Sequence, residues 1–146
     1  MKKIKEINHR GHRGRLNTLC SLKEFPLKDI TAKIISSAIE VHSTLGPGLL
    51  ESVYEEALAY EFELRGIKYE RQKEIKLEYK GKDIGIHRID FSVEGEVILE
   101  LKATEQINKI YEAQVLTYLK ALKKRVGLLL NFNVESLKEG IKRLII

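Results

Sequence analysis

A chain of 146 residues, 43% hydrophobic and 32% charged, can bury one sizeable core and is not a wholesale disordered polymer. Its longest apolar run, 126–130, is far too short for a bilayer, its start has no apolar stretch behind the basic residues, and one cysteine, Cys20, excludes a disulfide framework and a cysteine zinc site. The net charge of +5 comes from residues 1–28, with eight basic and two acidic side chains, against eighteen and nineteen in the remainder, so no basic body argues for nucleic acid.

No membrane span is expected, and the cytoplasm is the expected compartment. Residues 1–28 show no sustained periodicity and read as a basic, flexible segment ahead of one domain, 29–146. The run Asn8-His9-Arg10-Gly11-His12-Arg13-Gly14-Arg15 can touch phosphates or stand as a solvated tail, and His9 and His12 make a poor metal site there.

From Asp29, Ile35, Ala38, Ile39, His42 and Leu45 recur at helical steps, with Asp29 or Thr31 as cap and Gly46-Pro47-Gly48 as stop. A second helix, about 50–65, carries Leu50, Val53, Tyr54, Ala57, Leu58 and Leu64 on one stripe, Phe62 at its edge, and should form an αα-hairpin with the first. Three strands follow, about 69–79, 84–93 and 96–103. Then come a helix at 107–124, with Ile107, Tyr111, Gln114, Val115, Tyr118 and Leu122 on one face, a buried strand at 126–132 and a last short helix at 135–143. The order is ααβββαβα.

The hairpin between the second and third strands carries the chemistry. A single buried face must collect Ile89, Phe91 and Val93 from one strand and Val97, Leu99 and Leu101 from the other. This pairs Val93 with Val97, Phe91 with Leu99 and Ile89 with Leu101 around a Glu94-Gly95-Glu96 loop, with a slip by two residues as the alternative register. Asp90 then lies opposite Glu100, and Arg88 opposite Lys102. Two carboxylates directly across a strand pair repel, so either Lys102 or a divalent cation must compensate. The alternation breaks near His87-Arg88, which suggests a β-bulge beside Asp90. Asp90, Glu100 and Lys102 are the side chains that magnesium-dependent phosphodiester cleavage needs: oxygen ligands for the ion, and a cation to orient water or offset charge on phosphorus. By spacing alone, a solvated sheet face with a Glu–Lys ladder explains the same residues.

Gly48-Leu49-Leu50-Glu51-Ser52-Val53-Tyr54 resembles the GxxExxY motif that names a family of small prokaryotic proteins. Asp90, Glu100-Leu101-Lys102 and Gln114-x-x-x-Tyr118 match that family in order, so residues 30–146 resemble the PD-(D/E)xK nuclease-like superfamily, in the branch with a QxxxY motif after the catalytic strand. Ile89 stands where the superfamily name has proline. The resemblance implies an α/β (α+β), restriction-endonuclease-like core: a central mixed β-sheet flanked by helices. It implies Asp90, Glu100 and Glu51 as metal ligands, Lys102 as catalytic lysine, and Gln114 and Tyr118 as substrate-positioning residues. Mg2+, with Mn2+ as substitute, would be the cofactor, and the activity would be hydrolysis of DNA or RNA. The alternative is a nuclease-fold nucleic-acid-binding or protein-interaction module with little or no catalysis. A short chain of this kind is compatible with a homodimer.

Plainer explanations stand beside these roles. Glu51 early in a helix favours the helix dipole. Tyr54 and Tyr118 suit the core, Gln114 a hydrogen-bonded buried amide, and His42 a core histidine. His87 lies near enough to contact phosphate.

Overall fold

The computed structural model describes residues 27–146; the basic run 8–15, with His9 and His12, and Cys20 lie outside the described residues. Helix α1 (Lys28–Leu45) and helix α2 (Glu51–Leu64) are followed by β1 (Tyr69–Tyr79), β2 (Lys82–Val93), β3 (Val97–Lys102), helix α3 (Lys109–Leu122), β4 (Val126–Asn131), a 3-10 turn (Leu137–Gly140) and β5 (Ile141–Ile145). The strands form one mixed sheet in the order β1-β2-β3-β4-β5, antiparallel except for the parallel β3–β4 pair. That pair requires a crossover, which α3 supplies. The expected central mixed sheet flanked by helices is what the chain forms. Among the described residues no helix is long and apolar enough to cross a membrane.

The helix pair covers one sheet face and α3 the other. Ile34, Ala38, Val41, Tyr54, Leu58 and Phe62 pack against Phe91, Leu99 and Leu128, while Val115, Tyr118 and Leu119 pack against Ile75, Ile89, Ile98 and Leu129. Both α1 and α2 are rotated from their expected stripes. In α1 the buried face includes Thr31, Ile34, Ser37 and Val41, and Ile35 and Ile39 are only half-buried. Ser37 and Thr31 can be buried because their hydroxyls donate to the Lys33 and Lys28 carbonyls of the same helix. A stripe counted from apolar residues alone misses such positions. In α2 Phe62 is fully buried and Glu55 faces inward, whereas Leu50 and Leu64 are exposed.

Neither Asp29 nor Thr31 caps α1. Leu27, at φ 60°, takes the cap position without a side-chain bond, and Asp29 sits in the first turn, where its charge favours the dipole. Gly46 ends the helix as expected, at φ 74°, its N–H donating to the His42 carbonyl. Tyr54 holds the following turn: its hydroxyl donates to the Gly46 carbonyl and accepts from the Leu49 N–H, while its ring stacks on Phe132. His42 is a core histidine, buried, with Nε2 2.8 Å from the Val134 carbonyl oxygen.

The last expected helix, 135–143, is a correction. Only Leu137–Gly140 turns, and Ile141–Ile145 pairs with β4 as an edge strand. Gly140 is a poor helix residue, and it lies so close to the Asn131 carbonyl that a Cβ there would clash with the backbone. The isoleucines beyond it gain the unpaired donors and acceptors of β4, which a helix would leave bare.

The β2–β3 register matches the expectation at its closed end: Val93 pairs Val97 and Phe91 pairs Leu99 around Glu94-Gly95-Glu96. Glu94 and Gly95 both have positive φ, the geometry of that tight loop. The expected Ile89–Leu101 pair does not form. Ile89 belongs to the cluster under α3 and Leu101 to the cluster under α1 and α2. Residues two apart on a regular strand share a face, so β2 turns over between Ile89 and Phe91. Its partner turns with it, because opposite Asp90 Gln72 has φ 51°. The register irregularity of this hairpin lies between Leu77 and Glu78, opposite Asp83–Gly85, and not at His87-Arg88.

Candidate active site

Where β2 turns over, it also parts from β3. The ladder ends at Phe91 and Leu99, and the next two residues, Asp90 and Glu100, face each other across the opening. Side chains replace the backbone bonds there. The Asp90 N–H donates to Glu100 Oε1 at 3.1 Å, and the Leu101 N–H donates to Asp90 Oδ2 at 2.8 Å. Each carboxylate therefore satisfies a donor of the opposite strand, which keeps the fork open and both groups in place.

The cost of this arrangement is electrostatic. Burial pushes the Glu100 carboxyl up to about 8, helped by the Asp90 charge and opposed by the Asp90 N–H and by Lys102. Asp90 is likewise raised, first by burial and then by Glu55, against the Leu101 N–H, the Gln72 amide and Lys102. Two buried carboxyls side by side do not both ionise unless a cation joins them.

Lys102, at the end of β3, is half-buried with its Nζ 4.4 Å over the Tyr111 ring of α3. It does not face Arg88, as the regular register required. Arg88 pairs instead with Glu74 of β1, at 3.3 Å. Glu51 opens α2 and is half-buried. Its carboxyl is raised by burial and by the Asp90 and Glu55 charges and lowered by Lys102, which places it within the field of the fork. Its first-turn position serves the helix dipole equally well.

Tyr111, Gln114 and Tyr118 share one face of α3. Gln114 is exposed and not a buried amide. Tyr118 is buried in the α3 cluster, with its hydroxyl 3.5 Å from His87 Nδ1; burial and the Glu100 and Asp90 charges raise its pKa. The structure thus gathers Asp90, Glu100 and Lys102, keeps Glu51 in electrostatic reach, and sets Gln114 and Tyr118 on the flanking helix.

Four residues around the site escaped the sequence. Gln72 donates through Nε2 to Glu55 Oε1 at 2.8 Å and to Asp90 Oδ1 at 3.3 Å. Glu55 also accepts from Arg71 Nε at 2.8 Å, so a half-buried ion pair stands behind the amide that holds Asp90. Gln72 lies in a run of charges that reads as a solvated strand, and nothing local marks its left-handed backbone. Tyr111 had a visible signal, its shared helix face with Gln114 and Tyr118, but reads as ordinary core.

Among the described residues, no group of three or more His, Cys, Asp or Glu side chains is spaced to hold a metal ion. The fork offers two buried carboxyls that ionise together only beside a cation. That donor set fits a hard divalent cation that keeps most of its shell as water.

No curated protein and no solved structure matches the chain. A family model described as the PD-(D/E)XK nuclease superfamily, whose nucleases generally use divalent metal ions, matches residues 28–144. The match runs from the first residue of α1 into β5, across a five-stranded mixed sheet that opens at an acidic pair beside a lysine, and the chain belongs to the PD-(D/E)XK nuclease superfamily.

Proposed function

We propose that this protein is a metal-dependent nuclease that hydrolyses phosphodiester bonds of DNA or RNA at the fork between β2 and β3. The observation that carries this is the pair of buried, mutually repelling carboxyls, Asp90 and Glu100, beside Lys102. A fold keeps such a pair, at a cost in stability, where the pair has a cation to hold.

Asp90 and Glu100 would hold the ion, Mg2+ with Mn2+ as substitute, and Glu51 would bind it or its water. When bound, such an ion lowers the pKa of water and polarises a phosphoryl oxygen. Lys102 presents its charge where negative charge builds on phosphorus. The Tyr111 ring beneath Nζ limits where that charge can swing. Gln72 and the Glu55–Arg71 pair hold Asp90 at the mouth of the fork. Gln114, exposed on α3, positions the substrate strand, and Tyr118 fixes the side of the site nearest His87.

The test is cleavage of single-stranded DNA, duplex DNA and RNA in Mn2+ or Mg2+ against EDTA, alongside the melting temperature. Cleavage only with the ion is expected, with a rise in melting temperature that grows with ion concentration. Asp90→Asn should lose both responses while its ion-free melting temperature stays within a few degrees of the wild type. Nucleic-acid binding with neither cleavage nor an ion-dependent rise would make the protein a binding module on a nuclease fold. An ion response undiminished in Asp90→Asn would remove Asp90 from the site.

A further inference from the structure

The β1–β2 hairpin runs far beyond the rest of the sheet. β3 accompanies β2 only as far as Phe91, so from Asp90 to Lys82 the hairpin is a two-stranded ribbon. At strand rise it reaches roughly 25 Å past the fork. Its root is anchored, because Ile75 and Leu77 pack on the cluster under α3. Its β2 strand nevertheless faces solvent: every residue from Lys82 to Arg88 is exposed, including Ile84 at 60% and Ile86 at 58%. A two-stranded ribbon is marginal in water, and the exposed β-branched side chains of Ile84 and Ile86 stabilise nothing within the chain.

Two features show what the ribbon suits. The first is charge. Residues 73–88 hold five basic and three acidic side chains, while the rest of 29–146 holds thirteen basic and sixteen acidic, so the positive excess of this domain is concentrated on the ribbon. The second is Gly85, in mid-strand opposite Leu77. A Cβ there would meet no atom of the protein within 4 Å, so neither packing nor left-handed backbone requires glycine. Gly85 adjoins the register irregularity opposite Leu77 and Glu78, and the bare backbone at that bend leaves room for close approach by another molecule.

We propose that the β1–β2 ribbon lies in a groove of duplex DNA and holds the strand to be cut against the Asp90–Glu100 fork. This rests on the nucleic-acid reading above and narrows it to a duplex. The major groove of B-form DNA admits a two-stranded β-ribbon, whereas the major groove of A-form RNA is too narrow for side chains to read. Lys76, Lys82 and Arg88 would meet phosphates on either wall. Ile84 and Ile86 would meet base edges or wedge a base step, with Gly85 between them letting the backbone come close.

Three variants of the full chain separate the possibilities: Lys76→Glu with Lys82→Glu, Gly85→Val, and Ile84→Ser with Ile86→Ser. All three should fold with melting temperatures close to the wild type, since none of these side chains is buried. The first should weaken duplex binding by about tenfold or more and reduce the slope of log affinity against log salt by about 2, one per lost phosphate contact. Gly85→Val should weaken duplex binding without changing that slope. Cleavage of a short single strand that occupies only the fork should survive in all three.

Duplex binding and cleavage at wild-type levels in the variants would overturn the proposal while leaving the nuclease reading intact. So would a wild-type preference for single strands or RNA over duplex DNA. Ribbon-dependent duplex binding without ion-dependent cleavage would uphold the clamp and remove the catalytic reading. A wild-type dimer that Ile84→Ser with Ile86→Ser splits, with duplex affinity unchanged, would make the ribbon a contact between two copies.

Discussion

Lys102→Ala should lower ion-dependent cleavage by about 10²–10³-fold, the loss typical when one group that stabilises transition-state charge is removed. The fold should survive, because Lys102 is only half-buried and its one ring contact, with Tyr111, is of the kind worth about 0.5–2 kcal/mol. Affinity for the ion gives the sharper test. Lys102 lowers the carboxyl pKa values of Asp90, Glu100 and Glu51, so its charge opposes a cation at the same place. Without it, Mn2+ affinity by titration calorimetry should stay the same or rise while turnover collapses. A variant that loses ion affinity and turnover together would show that Lys102 organises the ligands and does not act on the phosphate. Undiminished turnover would remove it from the mechanism.

In EDTA, stability should fall as pH rises from about 5 to about 8. Glu100 titrates near 8 in the folded protein and near the ordinary glutamate value of 4.5 when unfolded. Across that window the folded state binds the proton and the unfolded state does not, so raising the pH favours unfolding. The contribution is complete below the unfolded value and lost above the folded one. Asp90 is shifted in the same direction and adds to the fall. The expected drop in melting temperature is several degrees, since about 1 kcal/mol moves a domain of this size by roughly 2–8 °C. Glu100→Gln should flatten the profile, because the amide mimics the protonated acid. Saturating Mg2+ or Mn2+ should flatten it differently, by stabilising the ionised pair at high pH. A pH profile of the Glu100→Gln variant as steep as that of the wild type would place the titration elsewhere.

The layered fold was legible because hydrophobic periodicity reports which segments bury a face. The αα-hairpin, β3, α3 and β4 all follow from runs whose period and length admit one element. The terminal segment was not legible. Residues 135–143 carry a weak helical spacing, and only the bare edge of β4 decides that Ile141–Ile145 forms a strand. The rotated faces of α1 and α2 have a similar cause. Ser37 and Thr31 are buried because their hydroxyls bond carbonyls of the preceding turn, and Glu55 because it meets Gln72 and Arg71, and a hydrophobic period counts none of these polar positions.

The sequence by itself determined the chemistry of the candidate site. The Glu94-Gly95-Glu96 loop and the apolar sets around it put Asp90 opposite Glu100, and the spacing Glu100-x-Lys102 supplies the lysine. Those relations are local, within one hairpin, and a hairpin's register is set by its own turn and pattern. Only the tertiary structure decided how the opposed carboxylates are tolerated. Strand alternation says that Ile89 and Phe91 share a face, but two separate cores, one under each helix layer, pull them apart and open the fork at Asp90. The amide that steadies Asp90 from outside the fork belongs to Gln72, and it is held in turn by Glu55, which the packing of α2 over β1 brings to it. Such contacts join residues whose spacing in the chain carries no information, so the packed core settles them.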